Sequence, residues 1–186
     1  METTTPLSDE MPKKSSKTGI IAIAVFLLLI GAGAFFFVRS KGSAIDTAGW
    51  QTYQNETQKI SIKYPPEYEA KEVNSDDPVG LLVTFSKPAS ESEETMAILQ
   101  VASQKLDIEK LLSELKDPKY ADANVKISDM VVAEKSAKKI SAQSADNQAS
   151  ILYIFNDEER TISLTLQGAQ SVEIGAGMIS TFAFKK

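Results

Sequence analysis

Residues 50–66 read WQTYQNETQKISIKYPP, two short runs of aromatic and β-branched residues, WQTYQN and KISIKY, separated by Glu56-Thr57-Gln58. In the second run Ile60, Ile62 and Tyr64 recur at every second position, the period of a strand with one buried face. Two such runs across a short polar gap predict an antiparallel hairpin. Pro65-Pro66 ends its second strand, because proline has no N–H to donate to a ladder. The folded domain therefore starts at Trp50.

Moving toward the N-terminus, residues 39–49, RSKGSAIDTAG, are small and polar and read as a flexible linker. Before them lies TGIIAIAVFLLLIGAGAFFFV, residues 18–38, twenty-one uncharged residues flanked by Lys13, Lys14 and Lys17 on one side and Arg39 and Lys41 on the other. At 1.5 Å rise per residue they reach roughly 30 Å, the hydrocarbon thickness of a bilayer. Thirteen of them are Ile, Val, Leu or Phe, which favours insertion by roughly 4–8 kcal/mol. The stretch is predicted to be a single-pass transmembrane helix that anchors the chain in a lipid bilayer. Its length exceeds the apolar region of a cleaved signal peptide, and Gly42-Ser43-Ala44 is a poor cleavage site, so an uncleaved anchor is favoured over cleavage. Residues 1–17 hold Thr, Ser, Pro and charge with few apolar residues and are read as a disordered tail. Basic residues exceed those on the far side by one, which places the N-terminus in the cytoplasm and the C-terminal domain outside the cell membrane.

Toward the C-terminus, Leu81–Ser86 and 96–102 read as strands, after a loop that runs from Pro65-Pro66 through residues 74–78. Asp107 has the character of an N-cap, opening a helix in which Ile108, Leu111, Leu112 and Leu115 recur at three- and four-residue steps until Pro118. Strands follow at 125–133, 137–144 and 149–155, and Arg160–Gln167 pairs back through the turn at 156–159. Ser171–Ser180 reads as a terminal helix with Val172, Met178 and Ile179 toward the sheet, although Gly175 and Gly177 weaken it. Ile60, Ile62, Val83, Phe85, Leu99, Val101, Ile151, Ile154, Ile162 and Leu164 are expected to fill one core. The fold class is therefore α+β: an antiparallel sheet flanked by helices, residues 50–186, behind a single N-terminal transmembrane helix.

The pattern Trp50-x-x-Tyr53-x-Asn55, then Ile60-Ser61-Ile62-Lys63-Tyr64-Pro65, and finally Ile179-Ser180-Thr181-Phe182-Ala183-Phe184 resembles the PsbP-like domains of bacterial membrane-anchored proteins and lipoproteins. The resemblance spans residues 50–186 and marks strand ends, with no catalytic position to transfer. It implies an α/β/α sandwich around a central antiparallel sheet, acting as a non-enzymatic accessory or scaffolding module. The photosynthetic role of some members is not carried over, because the chain has no histidine for their metal contacts and no plastid transit signal.

Charge and missing residue types narrow the function. Residues 1–41 hold five Lys/Arg against three acids, so of the net −5 about −7 falls on the rest. An acidic domain without a basic stripe is repelled by phosphate backbones, which argues against nucleic acid as a partner. With no cysteine and no histidine, disulfides, thiolate and imidazole catalysis and the commonest metal ligands are excluded.

The remaining chemistry is weak. Ser136-x-x-Lys139 and Ser113-x-x-Lys116 fit the S-x-x-K of penicillin-recognising serine enzymes, but the supporting motifs of that class are missing. Asp76-Asp77, Glu91-Ser92-Glu93-Glu94 and Asp157-Glu158-Glu159 offer oxygen ligands to a hard cation, without EF-hand spacing or its glycine. They read better as solvated loop charge. Asn55-Glu56-Thr57 matches a glycosylation sequon and is read as a turn. Trp50, Tyr53, Tyr64 and Tyr68 either line a groove for a glycan or peptide or fill a packed face, and strand spacing favours packing. The expectation is a tethered, non-enzymatic binding or scaffolding module with an envelope protein or glycan as partner and no catalytic, cofactor or metal residues. The alternative is an envelope hydrolase using Ser-Lys or paired-carboxylate chemistry.

Overall fold

The computed structural model of the chain describes residues 45–73, 80–88, 95–117, 124–143, 149–168 and 171–185. The tail 1–17, the apolar stretch 18–38 and the first part of the linker fall outside them. Among the described residues no helix is long and apolar enough to cross a membrane.

The hairpin at Trp50 is present: β1 (Gln51–Asn55) and β2 (Ile60–Tyr64) pair antiparallel, with Tyr53 opposite Ile62. The stretch after Pro65-Pro66, expected to be loop, contains a further strand, β3 (Glu69–Val73). Next come β4 (Leu81–Ser86), β5 (Thr95–Ala102), the short helix α1 (Ile108–Glu114), β6 (Lys126–Val132) and β7 (Lys135–Gln143). The chain closes with β8 (Ala149–Asp157), β9 (Arg160–Gln167), helix α2 (Ser171–Ser180) and the two-residue β10 (Ala183–Phe184).

These strands make two sheets, where one was expected. A seven-stranded antiparallel sheet has the order β3-β4-β5-β9-β8-β7-β6, and a three-stranded sheet has the order β1-β2-β10. The opening hairpin belongs to the small sheet, where Phe184 pairs with Ile60 and ties the C-terminus to the start of the domain. Strand alternation locates β2 but does not say which sheet takes it.

The large sheet buries both faces. On one, Val83, Phe85, Leu99, Val101, Ile151, Tyr153, Phe155, Ile162, Leu164 and Leu166 pack beneath the small sheet and α2, meeting Ile60, Ile62, Met178 and Phe182. On the other, Leu111, Leu112 and Leu115, from α1 and its C-cap, pack on Ile140, Ala142, Leu152 and Ile154. All ten expected core residues are buried, but Ile154 belongs to this second cluster, because β8 sends alternate side chains to opposite faces.

Both helices form for local reasons. Asp107 caps α1, its Oδ1 accepting from Lys110 N–H at 3.0 Å. In α2, Met178 and Ile179 are buried as expected whereas Val172 is 45% exposed. The glycines that weaken α2 as a helix allow it to pack closely. A Cβ at Gly175 would come within 2.9 Å of Leu166 Cδ1, and one at Gly177 within 2.5 Å of Trp50 Cη2. The β6–β7 turn places Ala133 and Glu134 at φ of 46° and 67°, the left-handed pair a tight two-residue hairpin demands. Neither residue signals that turn in the sequence, and β7 accordingly starts two residues earlier than expected.

Candidate functional site

Strand geometry separates the first Ser-Lys pair. Ser136 and Lys139 are three residues apart on β7, so they point to opposite faces of the sheet. Lys139 lies with Tyr153, its Nζ 5.8 Å from the ring centroid, whereas Ser136 faces the α1 side. Ser113 and Lys116 are both exposed near the end of α1, joined only by a backbone bond from Lys116 N–H to Ser113 O at 3.2 Å. Neither pair brings a base onto a hydroxyl.

A cleft of about 540 Å³ opens where the start of α1 crosses β7 and the end of β8, lined by Lys105, Leu106, Asp107, Glu109, Ser136, Lys138 and Asn156 among others. Several of its polar groups are already engaged by neighbouring groups. Lys138 reaches Asp129 at 2.8 Å and Glu109 at 3.5 Å, and its hydrogen bond with Asp129 raises the ammonium above its ordinary range. Asn156 donates to Leu106 O at 3.0 Å and accepts from Thr161 Oγ1 at 2.7 Å, while Thr161 Oγ1 accepts from Leu106 N–H at 2.7 Å. This network pins the β5–α1 connection to the sheet. The arrangement holds chain together and does not aim an acid and a base at a common point.

Of the acidic groups, 76–77 and 91–94 lie outside the described residues. Asp157, at the β8–β9 turn, is buried and bound on two sides, by Lys135 Nζ at 2.9 Å and by the Arg160 guanidinium at 3.0 Å. Burial alone would push the Asp157 carboxyl up; hydrogen bonds from Lys135 and Arg160 outweigh it and hold the group below the usual carboxylate range. Arg160 also donates to Gln58 O at 2.8 Å, and both cations sit over the Phe184 ring. The cluster is a clamp between the two sheets. Among the described residues no three Asp, Glu, His or Cys side chains converge as a metal site.

The aromatic residues pack. Tyr64 and Tyr68 are buried, and Trp50 and Tyr53 lie half-buried against the same core, with Phe85 5.1 Å from Tyr64 and 6.3 Å from Tyr53. Asn55 forms the expected turn, accepting from Gln58 N–H at 2.8 Å. The sequence did not single out Tyr153, whose hydroxyl is fully buried with no hydrogen-bond partner among the described residues. Burial pushes that phenol up to about 12.

No family model matches the chain, and no curated protein matches it. Among solved structures it is similar to the solution structure of cyanobacterial PsbP (CyanoP) from Synechocystis sp. PCC 6803, with 12% identity and a TM-score of 0.49, covering 79% of this chain and 98% of that one. It is similar to a protein from Bacteroides thetaiotaomicron at 14% identity and a TM-score of 0.44, covering 73% of this chain and 48% of that one. LpqN, involved in cell envelope biogenesis of Mycobacterium tuberculosis, matches at 14% identity with a TM-score of 0.40, covering 68% of this chain and 83% of that one. Likenesses this distant assign neither a family nor an activity.

Proposed function

We propose that this chain is a membrane-tethered, non-enzymatic binding or scaffolding module, a PsbP-like domain presented outside the cell membrane by helix 18–38. The apolar stretch and its flanking lysines support the tether and its orientation. The observation that carries the non-enzymatic reading is the state of the chemical groups: Ser136 and Lys139 point to opposite faces of β7, and Asp157 is locked between Lys135 and Arg160. A hydrolase needs a nucleophile or paired acids free to act on a substrate. The domain then works by offering a sheet face, a sheet edge or an acidic loop to an envelope protein or glycan, with the tether raising the local concentration of both. Crosslinking in intact cells followed by mass spectrometry tests this: a reproducible envelope partner, retained in Ser136→Ala and Asp157→Asn variants, is the expected result. Hydrolysis of cell-wall glycan or peptide by the purified chain, abolished by one Ser, Asp or Glu substitution, overturns it.

A further inference from the structure

A second cleft, of about 160 Å³, opens where the start of α2 meets strands β6, β7 and β8. Lys126 and Lys139 line it, together with Asn124 and Ser141. Lys126 stands opposite Ser141, and Lys139 lies two residues away on the same face of β7, so the two lysines are diagonal neighbours about 7–8 Å apart. Lys135, Lys138, Arg160 and Lys185 each hold an acid. Among the described residues Lys126 and Lys139 have no carboxylate partner, and no acid lines the cleft. Two uncompensated ammonium groups facing one small cavity suit an anion, and lysine is a point-charge binder of phosphate. The volume is below the roughly 300–1,000 Å³ that encloses a drug-sized ligand, which fits a single charged headgroup better than a glycan.

The cleft lies on the side of the domain where the chain enters. Trp50 packs against Gly177, and Val172, which lines the cleft, is five residues or about 7.5 Å back along α2. Ile45 follows Val38 by seven residues, so even a fully extended chain holds it within about 25 Å of the end of the 18–38 stretch. We propose that the cleft takes the phosphate of an anionic phospholipid headgroup from the bilayer that anchors the chain, with Val172, 45% exposed, pressed into the interface beside it. Basic residues next to an exposed apolar side chain are what an anionic membrane surface attracts. Glu173, the next residue of α2, does not line the cleft. The net negative charge of the domain does not prevent the contact, because exposed charges more than about 8 Å away are screened at physiological salt and the tether has already brought the two surfaces together. The inference rests on the tether and names a second, polar contact with the same bilayer.

The full chain reconstituted into bilayer nanodiscs tests this, through the rate at which an amine-reactive acylating reagent modifies each lysine, read by mass spectrometry. In discs containing phosphatidylglycerol, Lys126 and Lys139 are expected to react about fivefold more slowly than in phosphatidylcholine discs, the size of one lysine's attraction to an anionic surface. Lys105 and Lys110, exposed beside or on α1 at the opposite face of the sheet, keep one rate in both. Trp50 is the one tryptophan of the chain, and brominated phosphatidylglycerol should quench it more than brominated phosphatidylcholine does. The double variant Lys126→Gln, Lys139→Gln should lose that difference with an unchanged circular dichroism spectrum. Equal lysine rates in the two discs, slowing shared by Lys105 and Lys110, or a quenching difference that survives the double variant overturns the inference. So does the same protection produced in phosphatidylcholine discs by millimolar inorganic phosphate, which makes a free anion the ligand. A chain that does not enter the discs fails the tether first, before any lysine is read, and this inference with it.

Discussion

Replacing Tyr153 by Phe is expected to stabilise the protein. The side chain is 1% exposed and its ring lies under Gly175 of α2, where an added Cβ would meet Tyr153 Cε2 at 3.3 Å. Its hydroxyl has no partner among the described residues, and leaving a buried donor unmade costs about 1–3 kcal/mol. Removing the oxygen gives up only a few dispersion contacts, about 0.1–0.2 kcal/mol each. The net gain is then about 1 kcal/mol, or about 3–4 °C in Tm for a domain of this size. Urea unfolding followed by circular dichroism should show a higher midpoint at unchanged slope. A pH series supplies a second check. Burial raises the Tyr153 phenol to about 12, above its unfolded value of about 10. Its contribution is thus constant below about pH 10 and is lost as the pH rises through 10 toward 12, a loss absent from Tyr153→Phe. A variant destabilised by 1 kcal/mol or more would show that the hydroxyl is satisfied and refute the reasoning.

Gly177→Ala sets about 1 kcal/mol of gained helix propensity against a Cβ 2.5 Å from Trp50 Cη2. Overpacking of about 1–3 kcal/mol wins, so denaturant melts should show net destabilisation, and emission from Trp50, the one tryptophan of the chain, should shift as its ring is displaced. For Asp157 the folded-state value is lowered, so the stability it adds is fully present above its unfolded value of about 4 and lost as the pH falls through its folded one. Asp157→Asn should lower stability at pH 7 and flatten this acid limb, as read by melting between pH 2 and 7; an unchanged limb counts against the clamp.

How much of this was legible in the sequence follows from what each segment buries. Ile60, Ile62 and Tyr64 alternate because one face of β2 meets the core, and Leu111, Leu112 and Leu115 keep helical spacing because α1 and its C-cap meet one face of the sheet. The edge strand β3 has no such signal: of EAKEV only Ala70 is half-buried, so nothing apolar repeats. The two-residue β10 is too short for any period, and its pairing with Ile60 is a contact across the whole domain. Gly175 and Gly177 read as flaws in a helix until Leu166 and Trp50 are seen against them. Of the candidate pairs, Ser136 and Lys139 are parted for one geometric reason: the i, i+3 spacing that would bring them together on a helix puts them on opposite faces of strand β7.

The central claim, a domain held outside the membrane by one uncleaved helix, is tested most directly by adding protease to intact cells or spheroplasts carrying the full chain with a tag at each end. The account predicts that the C-terminal tag and residues 45–186 are digested while the N-terminal tag and the 18–38 stretch remain membrane-bound and protected. A C-terminal domain that stays intact until the membrane is breached, or a mature chain released with its N-terminus near Ile45, would contradict it.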